Sequence, residues 1–581
     1  MATNQEIAKI LSEIGEYLEM QGVAFKPRAY QRVAQTIGEL EEDVSTIYHR
    51  GGAKALEEIP GVGKSIAEHI EEFIKTGHLK YYEQLKKKAP VDLSALTQVE
   101  SLGPKKIKAL YQKLGVRNLK DLEKAAKAGK IAKLEGFGEK SESKILKGIE
   151  FVKKSSGRFV LGFVMPEIRA IEERLRKLPG VEKLEVAGSV RRRRETIGDA
   201  DILIISSKPK PVMDFFVNMP EVVNVAAHGE TRSAVKLKSG MNVDVRVVPR
   251  ESYGAALNYF TGSKDHNVEM RKIAIEKRLK LNEYGLFRVT KSGGEGKMVA
   301  GKTEEELYKA LGLDYIEPEM REMTGEVQAS RGHRLPKIIG YGDLKGDLQT
   351  QTNWTDGANT IEEMANAAMK AGLEYIAITD HTTRLAMTHG LDARRIVQQM
   401  KEIDKINQGF RVKGLGFRVL KGTECDILRD GSLDLPDEIL KQLDVVGVSV
   451  HSLFNLSREE QTKRIKKAMA NPHADILFHP TGRLIQKREP YQVDMEEIID
   501  FAKKTGTVLE IDAYPDRLDL KDEYIRKCVS AEVKMSVDSD AHSIHHFPVL
   551  EFGIAQARRG WATKLDIINT QPVEQMLKLL K

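Results

Sequence analysis

The stretch Gly188-Ser189-Val190-Arg191-Arg192, followed by Gly198-Asp199-Ala200-Asp201-Ile202-Leu203-Ile204, decides how the middle of this 581-residue chain folds. Its second part is β-branched and apolar after an alternating start, which predicts a strand. Side chains two positions apart on a strand point to the same face, so Asp199 and Asp201 converge while Ala200 faces away. The glycine and serine ahead of them predict a turn that binds phosphate.

A third carboxylate is expected on a neighbouring strand. The run Asn242-Val243-Asp244-Val245-Arg246-Val247-Val248 alternates in the manner of a strand and carries Asp244. Three aspartates can hold two Mg²⁺ (or Mn²⁺) ions, which clamp the attacking and leaving oxygens of an in-line phosphoryl transfer. The alternative is that Asp199 and Asp201 only cap the end of a strand.

A longer pattern follows the third aspartate. Tyr259-Phe260-Thr261-Gly262-Ser263, then Asn267, Met270, Arg271 and Asn282-Glu283-Tyr284, resembles the nucleotide-binding segment of family X DNA polymerases. The resemblance implies that Ser189 and Arg192 hold the incoming triphosphate and that Tyr259 and Phe260 pack against its sugar. It also implies that Gly262 lets the backbone approach the sugar, and that Asn267 and Arg271 contact the nascent pair and the template. The alternative is an aromatic pair that belongs to the core.

The composition indicates several domains and a reducing compartment. Two cysteines, Cys425 and Cys528, exclude a disulfide framework. No stretch approaches the roughly 18 consecutive apolar residues that a membrane-spanning helix needs, and no N-terminal run joins a basic segment to a long apolar core. We therefore expect a soluble, cytoplasmic protein, and a monomer.

The charge is concentrated in the first half of the chain. Residues 101–194 hold 25 basic and 11 acidic side chains, whereas residues 338–581 hold 33 and 37. Such a local excess of positive charge neutralises a nucleic-acid backbone. A solvated basic face remains the simpler interpretation of any single lysine run.

The first 150 residues read as short helices separated by glycines. An apolar residue, a Gly-x-Gly or Gly-Pro step, a lysine and a helix recur three times, and these segments resemble helix-hairpin-helix motifs. A glycine turn at a helix N-terminus leaves N–H groups for a DNA phosphate without reading sequence. One such loop alone is a common helix connector. The residues expected to contact DNA in the three copies are Gly61, Gly63 and Lys64, Gly103 and Lys105, and Gly136 and Gly138.

The N-terminal domain departs from its family at one position. Some family members use a lysine there to form a Schiff base with an abasic sugar, but this chain has His69. Imidazole does not form that stable iminium, so the resemblance does not carry lyase activity across. Lys26 and Tyr30 do match, which implies that the domain still holds a 5′-phosphate at a gap.

The last 244 residues alternate strands with helices. Apolar runs at 375–379, 445–450, 476–478 and 508–511 predict a parallel barrel, whose site lies at the C-terminal ends of the strands. Residues of metal-binding type fall at those ends. They resemble the polymerase and histidinol phosphatase (PHP) domain that many bacterial and archaeal family X polymerases carry. The matching ligand positions are Asp356, His381, Glu424, His451, His479, Asp540 and His542.

In that family nine ligands form a trinuclear site, which implies Zn²⁺ or Mn²⁺ here. A lone histidine at a strand end is usually structural, but four strand ends carry one. The family's opening His-x-His is replaced by Gln349 and Gln351. A neutral amide oxygen is a poorer ligand than imidazole, so the ion shared with Glu424 and Asp540 should bind weakly. The two other ions would use Glu424, His451 and His479, and Asp356, His381 and His542.

Together these features predict a multidomain chain: an all-α helix-hairpin-helix region, an α/β nucleotidyltransferase palm with a thumb, and a C-terminal distorted (β/α)7 barrel. The expected domains are a DNA-binding domain at 1–88, a second hairpin subdomain at 89–155, the palm at 156–254, the thumb at 255–316, a linker at 317–337 and the PHP domain at 338–581. We expect a DNA polymerase that fills short gaps in gapped or primed DNA from deoxynucleoside triphosphates. The rival hypotheses are a repair nuclease acting through the barrel and a non-catalytic scaffold for DNA ends.

Overall fold

The computed structural model describes residues 4–40, 43–99, 102–155, 157–384 and 388–581. The chain divides into two compact units, Met1–Ser156 with Gln486–Arg488, and Gly157–Ile485 with Glu489–Lys581. Among the described residues, no helix combines the length and the apolar character needed to cross a bilayer.

The first unit is helical in the parts that the structure describes. Its helices are α1 (Asn4–Gln21), α2 (Lys26–Glu39), α3 (Val44–Glu57), α4 (Lys64–Thr76), α5 (Lys80–Lys88), α6 (Leu93–Leu96), α7 (Pro104–Leu114), α8 (Leu119–Lys127) and α9 (Glu139–Ser155). Helix α4 shows the pattern, since Ile66, Ala67 and Ile70 recur on one face and are buried. Gly77 ends it in the left-handed conformation, and its N–H donates to Phe73 O.

The second unit begins with the palm. In chain order its elements are β1 (Phe159–Val160), α10 (Leu161–Arg176), β2 (Val181–Val186), α11 (Gly188–Arg191), β3 (Thr196–Ile197), β4 (Asp199–Ser206), α12 (Pro209–Val217), β5 (Val222–His228), β6 (Arg232–Leu237) and β7 (Asn242–Val247). Five of these strands form one sheet in the order β2-β4-β7-β6-β5, in which only β4 and β7 run parallel. Ile202 and Ile204 of β4 face the palm core, as the predicted alternation requires.

The thumb follows with α13 (Tyr253–Thr261), α14 (Lys264–Glu276), β8 (Leu279–Asn282), β9 (Gly285–Val289), β10 (Glu295–Ala300), α15 (Glu304–Ala310) and α16 (Glu326–Arg331). Helix α16 lies inside residues 317–337, which were predicted to be a linker, and that segment is packed. The Arg321 side chain is fully buried and donates to Glu304 at 2.6 Å, and Glu326 pairs with His266 at 3.0 Å. A buried ion pair and a buried hydrogen bond hold the segment, and an apolar period does not reveal such contacts.

The C-terminal part is a barrel of alternating strands and helices. Its strands are β11 (Gly346–Thr350), β12 (Tyr375–Ile378), β13 (Arg418–Asp426), β14 (Val445–Ser449), β15 (Ile476–Leu477), β16 (Val508–Asp512) and β17 (Met535–Asp538). Its helices are α17 (Ile361–Lys370), α18 (Ala393–Val412), α19 (Asp437–Leu440), α20 (Arg458–Met469), α21 (Met495–Thr505), α22 (Asp522–Ala531), α23 (Leu550–Arg559) and α24 (Val573–Met576).

The seven strands are parallel and neighbour one another in chain order, as predicted. Beyond β17 the chain returns to β11, where the Gln351 N–H donates to Ala541 O at 2.7 Å. Alternate strand residues fill two layers. Leu348, Tyr375 and Phe478 belong to an inner apolar cluster, while Ile376 and Val448 pack under the surrounding helices.

Candidate active sites

The predicted catalytic carboxylates meet on two parallel strands of the palm. Asp201 of β4 stands opposite Asp244 of β7 in the register, and Asp199 lies two positions before Asp201 on the same face. Ala200 points the other way and is 1% exposed. The structure therefore brings the three carboxylates together in the middle of a sheet, and the alternative of a simple strand cap does not describe them.

The three carboxylates differ in environment. Burial, together with the nearby charges of Asp199 and Asp244, raises the pKa of Asp201 to about 6. Asp244 accepts a hydrogen bond from Arg232 Nε at 3.0 Å, whereas Asp199 is exposed. Crowded negative charge of this kind is what a divalent cation offsets, so the residues present fit a metal site.

Gly188 allows the turn before β4 to lie directly against the carboxylates. Its φ is +63°, a conformation that favours glycine, and a Cβ atom there would lie 2.8 Å from Asp201 Oδ2. The Ala187 N–H donates to Asp201 O at 2.7 Å. Ser189, predicted to bind triphosphate, is half-buried in α11 next to this contact. The turn is thus held against the strand that carries Asp199 and Asp201.

Arg192 leaves the same turn and reaches the thumb. Its Nε donates to Glu322 Oε1 at 2.9 Å, and its Nη1 donates to Thr261 O. Gly262, at φ +68°, leaves the space that this side chain occupies, because a Cβ atom there would lie 3.2 Å from Arg192 Nη1. The structure therefore places the two predicted nucleotide-binding residues in contact.

The two rings of the predicted aromatic pair differ in burial, because Phe260 packs against a small buried cluster with Leu203 while Tyr259 is open to solvent. Tyr259 is 38% exposed, and its ring meets that of Phe260 edge-on at 5.1 Å between centroids. Arg246 lies over the Phe260 ring at 4.7 Å. Asn267 Nδ2 donates to Tyr259 O at 2.7 Å, and Arg271 Nε donates to Asn267 O at 3.2 Å. These residues thus form one connected surface beside Arg192.

The glycine loops of the first unit share a geometry. Gly61 and Gly136 adopt φ values of +83° and +82°. Gly63 and Gly103 are the N-caps of α4 and α7, and neither helix has a side-chain cap at that end. Gly138 O accepts the first bonds of α9. Lys64 and Lys105 are exposed at these helix starts, so N–H groups and positive charge face outward together.

His69 is held by two tyrosines. The Tyr30 hydroxyl and His69 Nδ1 form a hydrogen bond of 2.8 Å, and the Tyr81 ring stacks on the imidazole at 4.9 Å. Burial lowers the pKa of His69, so the ring is neutral at pH 7. Lys26 is exposed on α2. The position expected to hold a Schiff-base lysine is thus filled by a neutral, stacked ring.

The seven predicted metal-type ligands of the barrel gather at one end. Two groups have ligand atoms that lie within 4.8 Å of one another: Asp356 with His381 and His542, and His381 with Glu424 and His451. His479 is buried, and its Nε2 lies 2.8 Å from Glu424 Oε1. His381 therefore serves both groups, whereas the sequence assigned it to one. Asp540 lies beside His542, with 3.8 Å between its Oδ1 and His542 Nδ1.

The glutamines stand where the third ion of the family would bind, and the residues there fit an ion poorly. Gln351 Nε2 donates to Glu424 Oε2 at 2.9 Å, so an amide N–H already occupies that carboxylate oxygen. Gln349 is fully buried, and neither of its side-chain polar atoms has a partner among the described residues. Arg517 Nε lies 3.4 Å from Asp540 Oδ2 and 3.3 Å from Asp512 Oδ2, which puts a fixed cation beside this position.

Sequence reasoning missed Arg517 and Glu322. Arg517 lies in the loop that follows β16 (Val508–Asp512), where residues of a parallel barrel build the site, so its position could have identified it. Glu322 has no such signal, because it lies in a polar segment and acts through residues distant in sequence.

Comparison with protein-family models gives four matches. They are a helix-hairpin-helix domain over residues 2–79, a SAM-like helix-hairpin-helix tandem over 93–150, a DNA polymerase beta thumb over 256–322 and a PHP domain over 347–513. The matches follow the order of the predicted domains.

Relatives among known proteins extend the comparison. The chain is 38% identical over 580 residues to the DNA polymerase/3′-5′ exonuclease PolX of Bacillus subtilis (strain 168), with 99% of each chain covered. It is 31% identical over 240 residues to a probable phosphatase of Thermoanaerobacter sp. (strain X514), which covers 39% of this chain and 91% of that protein. It is 26% identical over 344 residues to rat (Rattus norvegicus) DNA polymerase lambda, covering 55% and 56% of the two chains.

Proposed function

Since this chain belongs to the family X DNA polymerases that carry a C-terminal PHP domain, we propose that it fills short gaps during DNA repair by two-metal nucleotidyl transfer. The observation that carries the proposal is the register of β4 against β7, which pairs Asp201 with Asp244 and leaves Asp199 on the same face. We further propose that the barrel is a metal-dependent 3′-5′ exonuclease of reduced activity.

In the polymerase reaction the 3′ hydroxyl of the primer attacks the α-phosphate of the bound nucleotide. A bond forms between that oxygen and phosphorus, and the bond to the bridging oxygen of pyrophosphate breaks. Asp199, Asp201 and Asp244 would hold Mg²⁺ (or Mn²⁺), which stabilises charge on the attacking and leaving oxygens when bound. Ser189 and Arg192 orient the triphosphate and stabilise the leaving group.

The aromatic pair of Tyr259 and Phe260 would support the sugar of the incoming nucleotide. Tyr259 offers an accessible ring, and the backbone at Gly262 carries no side chain that would exclude a ligand. Asn267 and Arg271, which are hydrogen-bonded to this surface, would contact the new base pair and the template.

The helix-hairpin-helix loops would hold the DNA on either side of a gap. Their outward N–H groups and lysines suit phosphate oxygens, and they carry no group that reads a base edge. Lys26 and Tyr30 would contact a 5′-phosphate. The neutral, stacked His69 argues against Schiff-base chemistry at that end.

The barrel would bind Zn²⁺ or Mn²⁺ through its two convergent ligand groups. Such ions activate water for attack on a phosphodiester. The donor set for a third ion consists of two amides, a carboxylate that accepts from one of them, and a carboxylate paired with Arg517. Because this donor set would bind a third ion weakly, the attacked phosphate would be stabilised less and the nuclease would be slower.

Primer extension and strand digestion, performed side by side, separate the candidate functions. We expect Asp244→Ala to abolish extension of a gapped primer and to leave Mn²⁺-dependent digestion of a labelled single strand unchanged. His451→Ala should abolish the Mn²⁺-dependent digestion and leave primer extension unchanged. A wild-type protein that digests DNA but does not extend a primer would favour the repair-nuclease hypothesis, and one that does neither but binds DNA would favour the scaffold.

The setting proposed for this enzyme is the cytoplasm, where it would act as a monomer. Both cysteines are buried and free, as a reducing compartment permits. Sedimentation of the purified protein with and without gapped DNA checks the monomer.

A further inference from the structure

The turn that carries Arg192 is supported by the barrel as well as by the palm. Glu195, three residues later, accepts from Arg483 Nη2 at 2.6 Å and from Gln556 Nε2 at 2.7 Å, and both donors belong to the barrel part of the chain. Arg193 lies 3.6 Å from Glu551 of α23. Helix α23 therefore contacts this turn at Arg193 and Glu195.

Glu322 links the barrel to Arg192, the residue proposed to bind the nucleotide. Its Oε1 accepts from Arg192 Nε at 2.9 Å and from Arg559 Nη1 at 3.3 Å, and its Oε2 lies 3.3 Å from Arg194 Nη1. Arg559, the last residue of α23, also donates Nη1 to Arg192 O at 3.3 Å. Its Nη2 donates to Asp522. The side chains of Arg559, Arg192 and Glu322 are 3%, 14% and 17% exposed.

We propose that Arg559, acting through Glu322, is a positioning residue for the incoming nucleotide, so that the barrel sets the nucleotide affinity of the polymerase. This rests on the proposed role of Arg192. Among the described residues, the hydrogen bonds of Arg192 use Nε and Nη1, and the two N–H groups of Nη2 remain for a ligand. A guanidinium held on two sides presents its remaining donors in one orientation.

The physical basis is preorganisation. A free arginine must lose rotamer freedom when it binds a phosphate, and that loss weakens binding. Glu322 and Thr261 O remove this freedom before the nucleotide arrives. Arg559 holds Glu322 in turn, because its own guanidinium is fixed by Asp522 and is almost fully buried. Removal of either support should therefore weaken nucleotide binding more than it slows the chemical step.

In a competing arrangement, removal of Glu322 would change the KM for nucleotide in the opposite direction. If Glu322 acted as a substitute for the triphosphate, nucleotide binding would have to break its ion pair with Arg192. Removal of Glu322 would then lower the KM for nucleotide.

The experiment measures kcat and KM for deoxynucleoside triphosphate on a one-nucleotide gap, together with the Kd for the same nucleotide on a dideoxy-terminated primer. For Glu322→Gln and Arg559→Met we expect KM and Kd to rise about tenfold while kcat changes less than threefold, since one oriented charge-assisted contact is weakened. Arg559→Lys should recover part of the affinity. A lowered KM, or a kcat that falls as KM stays constant, would overturn the inference.

Arg169→Met provides the matched control. Arg169 also joins palm to barrel, through Glu551 at 2.6 Å, but it does not contact Glu322 and is half-exposed. The Arg169→Met variant should have the same KM for deoxynucleoside triphosphate as the wild type. If Arg559→Met fails to fold, as circular dichroism would show, Glu322→Gln carries the test alone, because it keeps the size of the side chain.

A double variant distinguishes failure of this inference from failure of the proposed site. Arg192→Met alone should raise KM, and adding Glu322→Gln to it should then have no further effect, because Glu322 acts through Arg192. If Arg192→Met leaves KM unchanged, the assignment of Arg192 to the nucleotide is wrong. If it raises KM while Glu322→Gln and Arg559→Met do not, only the positioning role is wrong.

Discussion

The ionised carboxylate of Asp201 is needed for the proposed metal site, but its burial makes that charge unfavourable for the stability of the palm. It lies deeper than Asp199, and Arg232 contacts Asp244 rather than Asp201. Burial and two neighbouring carboxylates raise its pKa from 3.8 to about 6. The ionised form that binds metal is therefore the form that the metal-free fold tolerates least.

Replacement of Asp201 by Asn should stabilise the metal-free protein at pH 7 by about 1–3 kcal/mol, while it abolishes nucleotide incorporation. The folded pKa lies above the unfolded pKa, so the cost of the charge grows as the pH rises from about 4 to about 6 and is fully present above pH 6. Below about pH 4 both states are protonated and the gain should vanish. Thermal unfolding in EDTA at several pH values measures this, with the exposed Asp199→Asn as the control. An equal gain at pH 4 and pH 7 would contradict the argument.

His69 makes a second prediction at this scale. We expect binding of gapped DNA with a 5′-phosphate but little covalent trapping by borohydride on an incised abasic site, because a neutral imidazole does not form a stable iminium. Introducing His69→Lys should create some trapping. Strong trapping by the wild type would show that another lysine, such as Lys64, performs the reaction.

Changes at Gln349 and Gln351 test whether the barrel lacks an ion that limits its exonuclease activity. The double change Gln349→His and Gln351→His should raise the bound Mn²⁺ measured by mass spectrometry and increase Mn²⁺-dependent exonuclease activity, since imidazole replaces two amides. Polymerase activity should change little, and the exposed Gln442→His serves as the control for an added imidazole. A wild type that already digests DNA rapidly, and loses this on His451→Ala, would show that the third ion is dispensable.

At the scale of elements, the helices α4 and α7 both begin at a glycine N-cap without a side-chain cap. Their N-caps, Gly63 and Gly103, have ordinary extended backbone angles, and a Cβ atom would meet nothing within 4 Å at either. A capping side chain therefore fits both positions, yet both carry glycine. Open N–H groups are what a phosphate requires.

Gly63→Asp should stabilise α4 slightly and weaken binding to gapped DNA by about tenfold, because the carboxylate takes the N–H groups and repels phosphate. Gly63→Asn caps the helix without a charge and should weaken binding less. Fluorescence anisotropy at two salt concentrations measures both. Equal affinities for the two variants would mean that charge at this loop is unimportant.

Local patterns predicted the elements better than the contacts between them. The alternation around Asp201 and Asp244 predicted two strands with convergent carboxylates, and apolar runs such as 445–450 predicted barrel strands, because both depend on neighbours in the chain. Residues 317–337 were predicted to be a linker because they lack an apolar period. The segment is nevertheless packed, since Arg321 and Glu326 are buried by partners that no local pattern reveals. The contact between Arg559 and Glu322 likewise joins residues far apart in sequence, so no local pattern predicts it.

At the scale of the whole molecule, palm and barrel share a core. Leu518 and Phe552 of the barrel belong to the same buried cluster as the strand residues of the palm. Gly162 of α10 lies so close to the barrel that a Cβ atom would be 2.5 Å from Pro515 Cβ. The two parts therefore cannot separate without exposing apolar surface.

Residues 157–581 should accordingly unfold in one calorimetric transition, which Mn²⁺ bound to the barrel shifts upward as a whole. Phe552→Ala should lower the midpoint by several degrees and reduce polymerase activity at 37 °C. Phe410→Ala, in the outer layer of the barrel alone, should lower the midpoint to a similar extent but spare polymerase activity below it. Two separate transitions, with Phe552→Ala affecting only one, would disprove the shared core.

Helix α23 has a consequence for the inheritance of this architecture. If the turn that carries Arg192 binds the nucleotide, natural selection on DNA synthesis also acts on the shape of the barrel, because helix α23 contacts that turn without using the barrel's metal-type ligands. Mutations that remove individual metal ligands can therefore accumulate while deletions of the barrel are eliminated. In chains of this lineage, we expect degraded nuclease centres to outnumber truncated molecules.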